Sequence, residues 1–262
     1  MIEQFLSNGW CLFEEDPAII DWVKSALPVA RDAVRSPVNS KWLRCGETWF
    51  AGVNVLPNDT KAAVPAGPEL SGKAVNFVHN KLKLNQFEWD NGQISVCYPG
   101  YPRPMAQESE SAFQYRRDKC AAHLDGLLPE GPDRRRHLRE FHGFILAIPL
   151  VEFSLDAAPF VVWEKSHEQV RAAFRDRFKG IDPEDWGEED VTETYHVLRR
   201  QIFEQCRSVE IAPRPGQSFL VHRLALHGVS PWRSGAVAGS DGRMICYFRP
   251  EMGNAVDWLN GD

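Results

Sequence analysis

His123-Leu124-Asp125, answered far downstream by Leu226-His227-Gly228, decides how this chain is read. Side chains alternate along an extended segment, so His123 and Asp125 point the same way if that segment is a strand. Together with His227 they offer a metal two imidazole nitrogens and one carboxylate oxygen. Up to three adjacent octahedral positions then stay open for a co-substrate and a gas. A His-x-Asp triplet alone occurs by chance in many chains, so the weight of the motif comes from what surrounds it.

Outward from the triad, the texture is that of strands. Phe141 to Val151, Pro159 to Trp163, Val209 to Ala212, Gln217 to His222, Leu224 to Val229 and Arg243 to Arg249 all read as extended. Asp90-Asn91-Gly92, flanked by Phe87-Glu88-Trp89 and Gln93 to Tyr98, predicts a hairpin and a β core that starts near residue 87. Helical spacing predicts helices over Ser166 to Phe178 and Val191 to Cys206 between the strands. Asp16 as a cap and Pro17 in the first turn open a helix over about 17–34, after a short strand over Gly9 to Phe13. Thr48 to Phe50 and Val53 to Val55 read as short strands, and Ser71 to Leu82 as a helix. The expectation is a mainly β domain with flanking helices, two antiparallel sheets rolled around a ligand cavity. Residues 1–262 form one domain: 1–86 a helical and irregular buttress, 87–250 the core, with a helical insert at 166–206.

At 262 residues and 43% hydrophobic, the chain can bury a full core. A net charge of -6 lacks the broad positive field that nucleic acid demands, so no nucleic-acid partner is expected. Arg134-Arg135-Arg136 with Arg139 reads as a solvated helix face, offset by the acidic run Asp182 to Glu193. Six scattered cysteines without a Cys-x-x-Cys pair suggest neither zinc nor a disulfide framework. No membrane association is expected, since the longest apolar run, Phe144 to Val151, is far too short to cross a bilayer. With no signal-like N-terminus, the expected location is cytoplasmic.

The order of motifs now carries a resemblance. His123-x-Asp125, a long insert, Pro215 to Leu220, Leu226-His227-Gly228 and then an arginine opening the next strand resemble the iron(II)- and 2-oxoglutarate-dependent oxygenases. Phe5-x-x-x-Gly9-Trp10 and Phe160 to His167 make the chain similar to their phytanoyl-CoA dioxygenase-like branch. That resemblance implies a double-stranded β-helix, the jelly-roll or cupin-like plan, with Fe(II) held by His123, Asp125 and His227. It further implies 2-oxoglutarate and O2 as co-substrates, a small-molecule substrate that is hydroxylated, and release of succinate and CO2. The metal would supply the hard step, and the protein positioning and exclusion of water.

The family's arginine, which grips the far carboxylate of 2-oxoglutarate, falls on Arg243, because a planar guanidinium binds a carboxylate through two parallel hydrogen bonds. Alternation puts Arg249 on the same face, so pattern alone leaves both open; six residues of strand span about 20 Å, so one of them at most reaches the co-substrate. Gln93 and Tyr98 are further candidates for co-substrate contacts. The family often has Ser two residues after the second histidine; here stands Val229, with Ser230 next. Trp163, Trp232, Arg116, Arg117 and Lys119 are candidates for the pocket mouth, the last three favouring an anionic substrate. His222 faces either the cavity or the strand's end, and His142 and His167 read as structural. Ligand types do not choose between iron and its neighbours, and a cupin-like metalloenzyme without 2-oxoglutarate or a non-catalytic binding module are the competing readings. The oligomeric state is not legible.

Overall fold

The computed structural model describes residues 1–261. Helix α1 (Ile2–Asn8) and strand β1 (Trp10–Phe13) lead into α2 (Pro17–Arg35). Strands β2 (Leu43–Arg44) and β3 (Trp49–Gly52) precede α3 (Lys73–Asn80), β4 (Gln93–Cys97) and α4 (Glu110–Asp118). Then come β5 (Leu127–Glu130), β6 (Arg135–Leu138), β7 (Phe144–Pro149), β8 (Phe160–Trp163), α5 (Ser166–Arg177) and α6 (Thr192–Gln205). The chain ends on β9 (Ser208–Ile211), β10 (Ser218–His222), β11 (His227–Val229), β12 (Arg243–Phe248) and α7 (Ala255–Asn260).

The core is two antiparallel sheets, one of seven strands in the order β1-β10-β7-β12-β4-β3-β2 and one of three in the order β11-β8-β9. Strand β7 shows why its sequence is apolar without a break. Phe144, Leu146 and Ile148 point to the cluster under α2 and α3, while Ile145 and Ala147 point to the cluster shared with the smaller sheet. Strand β12 divides the same way, with Met244, Cys246 and Phe248 outward and Ile245 and Tyr247 between the sheets. A strand covered on both faces loses its polar alternation. Phe160 on β8 meets Phe219 on β10 with ring centroids 5.0 Å apart, closing the gap between the sheets. Helices α5 and α6 cover the back of the smaller sheet, against Val161 and Trp163.

Helix α2 starts where expected, because Asp16 accepts from the Ala18 amide at 3.0 Å. The other oxygen of Asp16 accepts from the Lys73 amide at 2.6 Å, so one carboxylate ties together the starts of two helices. No helix among the described residues is long and apolar enough to cross a membrane.

Several expectations need correction. The first 86 residues do more than buttress: β1 pairs with β10 and β3 with β4, so they supply edges of the large sheet. Asp90-Asn91-Gly92 is not a hairpin turn, since β4 pairs with β12 and β3. Phe87 and Trp89 instead bury themselves against Phe144 and Phe248, Trp89 lying 5.3 Å from the Phe248 ring. The polar groups of the turn are used over distance, Asp90 accepting from the Arg249 amide at 2.9 Å and Gly92 donating to Asn58 at 2.8 Å. Val53 to Val55 is a turn rather than a strand. Arg135 and Arg136 lie on the β5–β6 hairpin, not on a helix, and Arg135 pairs with Asp190 and Glu193 of the acidic run.

Candidate metal centre

His123 and His227 face each other across two backbone segments. The His123 amide donates to the His227 carbonyl at 2.8 Å and the His227 amide donates back at 3.1 Å. Residues paired in this way present their side chains on one face, and the two rings lie 4.5 Å apart. Gly228 permits the approach: a Cβ there would stand 2.2 Å from the Cys120 carbonyl oxygen, itself the acceptor of the Val229 amide. Asp125 follows two residues after His123, and the chain then turns at Gly126, whose φ of 87° suits glycine and whose Cβ would meet the Glu140 carbonyl at 2.4 Å.

The three side chains converge, with one ligand atom from each lying within 4.8 Å of the others. Asp125 Oδ1 is 3.4 Å from His123 Nε2, and Oδ2 is 3.7 Å from His227 Nε2. His123 Nδ1 lies 3.0 Å from the Ala121 carbonyl and His227 Nδ1 2.9 Å from the Ala225 carbonyl. A carbonyl only accepts, so each Nδ1 carries the proton and each Nε2 turns a lone pair to the shared space. Phe160 stacks on His227 at 5.4 Å and 12°, fixing the plane of that ring.

Electrostatics favour the ligating forms. Burial, and next the neighbouring His123, push the His227 imidazole down to about 4, so it is neutral near pH 7. Burial works against the Asp125 carboxylate, but Arg249 and then the two histidines outweigh it and hold the group well below the usual carboxylate range. Arg249 Nη1 stands 3.3 Å from Asp125 Oδ2. Two imidazoles and an ionised carboxylate on one face, with open space beside them, fit a divalent first-row metal ion.

That space is a cavity of about 370 Å³ between the two sheets. Trp49, Gln93, Ser95, Ile145, Tyr247 and Arg249 line it from the large sheet and its continuation, and Phe160, His227, Gly228 and Val229 from the small one. Gln93 therefore reaches the cavity. Tyr98 does not line it and packs against the outer core. Arg243 is fully buried one layer back, with Nη2 2.9 Å from the Tyr247 hydroxyl and Nη1 3.4 Å from Ser95 Oγ. Among the described residues its Nε has no partner.

Other expected residues lie elsewhere. Ser230 faces away from the cavity, donating to Glu210 at 2.7 Å, and Trp163 packs on Phe203. Arg116 is buried in an ion pair with Glu108, Arg117 pairs with Asp118, and Lys119 sits over Phe203. His222 packs at its strand's end against His167, and His142 bonds the Arg249 carbonyl at 2.8 Å. Arg44, Trp49 and Phe160, which the sequence does not mark as site residues, do reach the cavity. Only Phe160 had a usable signal, in lying on a strand facing His227.

No protein-family model and no curated protein matches the chain. Among solved structures it aligns with EctD from S. alaskensis, crystallised with 2-oxoglutarate and 5-hydroxyectoine, at 14% identity over 98% of this chain and 75% of that one, TM-score 0.44. It aligns with AviO1 from Streptomyces viridochromogenes Tue57 at 11% identity over 97% and 95%, TM-score 0.44. With the non-heme alpha ketoglutarate dependent carbocyclase SnoK from nogalamycin biosynthesis the alignment covers 95% of this chain and 82% of that one, at 12% identity and a TM-score of 0.50. In fold, this chain is similar to that carbocyclase.

Proposed function

We propose that the protein is an iron(II)- and 2-oxoglutarate-dependent oxygenase that hydroxylates a small molecule. The observation that carries this reading is the convergence of two carbonyl-anchored imidazoles and one ionised carboxylate on the cavity between the sheets. Its fold, similar to that of a carbocyclase which depends on α-ketoglutarate, supports it. We read the two facing sheets as a double-stranded β-helix of the cupin-like plan, and the free cysteines as suited to a cytoplasmic protein.

His123, Asp125 and His227 would hold the iron. Bound with 2-oxoglutarate and O2, it supplies oxidation of a C–H bond to C–OH while the 2-oxo acid is split to succinate and CO2. The chain's own residues do the rest. Arg243 would hold the far carboxylate, since its Nε lacks a partner among the described residues and its Nη atoms donate to Ser95 and Tyr247, two hydroxyls of the cavity wall. Gln93, paired opposite Tyr247, would add an amide to the same wall. Phe160, Ile145 and Val229 keep water from the reacting atoms.

The test is anaerobic addition of Fe(II) and 2-oxoglutarate, which should give a weak visible charge-transfer band that His123→Ala and Asp125→Ala abolish. Admission of air should release succinate, and Arg243→Gln should raise the 2-oxoglutarate concentration needed. No band with the wild-type protein, or an undiminished one in His123→Ala, overturns the reading. Succinate release that ignores Arg243→Gln removes that residue from the co-substrate site.

A further inference from the structure

Resting on the oxygenase reading, we propose that the substrate is an organic acid whose anionic group is bound by Arg44 at the mouth of the cavity, with its apolar body against Trp49 and Leu128. The opening lies on the His123 side: that side chain keeps 49% of its surface exposed, whereas His227 keeps 5%. Arg44, His123 and Leu128 are the exposed residues of the lining, so Arg44 and Leu128 form the rim on the His123 side.

Charge bookkeeping over the lining singles out one residue. Besides the two histidines of the triad, Arg44, Asp125 and Arg249 are its formally charged members. Asp125 and Arg249 face each other at 3.3 Å and cancel. Arg44 has no carboxylate within ion-pair reach among the described residues. The chain as a whole carries -6, so a lone cation at this rim runs against the overall field. The other cations near the triad in sequence are engaged elsewhere, Arg116 with Glu108 and Arg117 with Asp118.

Arg44 is also placed. Its backbone pairs directly opposite Trp49 in the β2–β3 ladder, so the two side chains share a face, and both line the cavity. The Arg44 guanidinium carbon lies 5.3 Å over the Trp42 ring, which limits its sweep. A cation beside a flat indole, leading to an apolar chamber with the ligand triad at its end, matches a molecule with an acid group at one end and an apolar body presented to the metal.

A matched series of probes tests this on the protein loaded anaerobically with Fe(II) and 2-oxoglutarate: 3-phenylpropionate, 3-phenylpropanamide and 3-phenylpropylamine, with binding measured by calorimetry. The acid should bind about tenfold or more tighter than the amide. Arg44→Gln should erase that difference, Arg44→Lys should keep part of it, and Arg44→Glu should shift the preference to the amine. Melting temperatures of the variants show that each is folded. An acid that binds no better than the amide, a preference that survives Arg44→Gln, or failure of all three probes to bind at millimolar concentration overturns the proposal. A normal charge-transfer band with any of these results leaves the oxygenase reading standing, whereas absence of the band strikes that reading first.

Discussion

Arg249 and Asp125 meet at 3.3 Å on Oδ2, the carboxylate oxygen that also faces His227. The arginine is held by its own backbone, whose amide donates to Asp90 at 2.9 Å and whose carbonyl lies 2.8 Å from His142 Nδ1. The cation keeps a buried carboxylate ionised and limits how it turns. Arg249→Gln should therefore lower metal affinity by about 10–100-fold, as loss of an outer partner of a ligand commonly does. Titration with Co(II) checks it; unchanged affinity would mean that the two histidines orient Asp125 unaided.

Gly228→Ala should damage the centre without touching a ligand. The added Cβ would stand 2.2 Å from the Cys120 carbonyl, which is backbone and cannot swing aside, so the segment carrying His123 must move. Overpacking of this sort costs about 1–3 kcal/mol. Denaturation and Co(II) binding should fall together, and a variant with normal metal affinity would show that the segment has slack.

Phe160→Ala should be costly for two reasons. The ring is buried, stacks on His227 at 5.4 Å and contacts Phe219 at 5.0 Å. Truncation of a core phenylalanine costs about 3–5 kcal/mol. It also frees the His227 plane, so metal binding should weaken, while Phe160→Leu should retain most of the stability. Equal urea midpoints for wild type and Phe160→Ala would contradict the packing described.

Acid should destabilise the fold through His222. Burial, and then Arg223, His167 and Arg171, hold its imidazole well below the ordinary value. Nδ1 accepts from the Leu224 amide at 3.0 Å and Nε2 lies 3.0 Å from Arg171, leaving no acceptor for a second proton. Between the unfolded histidine value near 6.5 and the depressed native one, the unfolded chain binds a proton that the native chain does not. Stability therefore falls as pH drops below about 6.5 and is insensitive to this group above it. Urea midpoints at several pH values should show a shallower acid slope for His222→Gln than for wild type; parallel slopes would remove His222 as a source.

How much was legible follows from the range over which each signal acts. Strands β7 and β12 are apolar at every position because both faces are covered, and Asp16-Pro17 caps α2 within two residues, so both could be read locally. The His123–Asp125 spacing was legible because two residues bring a side chain back to the same face of an extended segment. Asp90-Asn91-Gly92 misled because its local preference for a turn yielded to the burial of Phe87 and Trp89 against distant aromatic rings. Tyr98 read as part of a core strand, but it stands one residue beyond β4, on the outer core. Arg44 could not be found, since nothing near a strand of two residues says that it borders a triad assembled from residues 123–227.

Each ligand imidazole is tethered to a carbonyl only two positions earlier in its own chain, at 3.0 Å for His123 and 2.9 Å for His227. The orientation of both rings is thus set by the chain's own hydrogen bonds, so the proposed socket should form without an ion. Stripping the metal should leave its outline intact, and reloading should require no refolding, only the arrival of the guest.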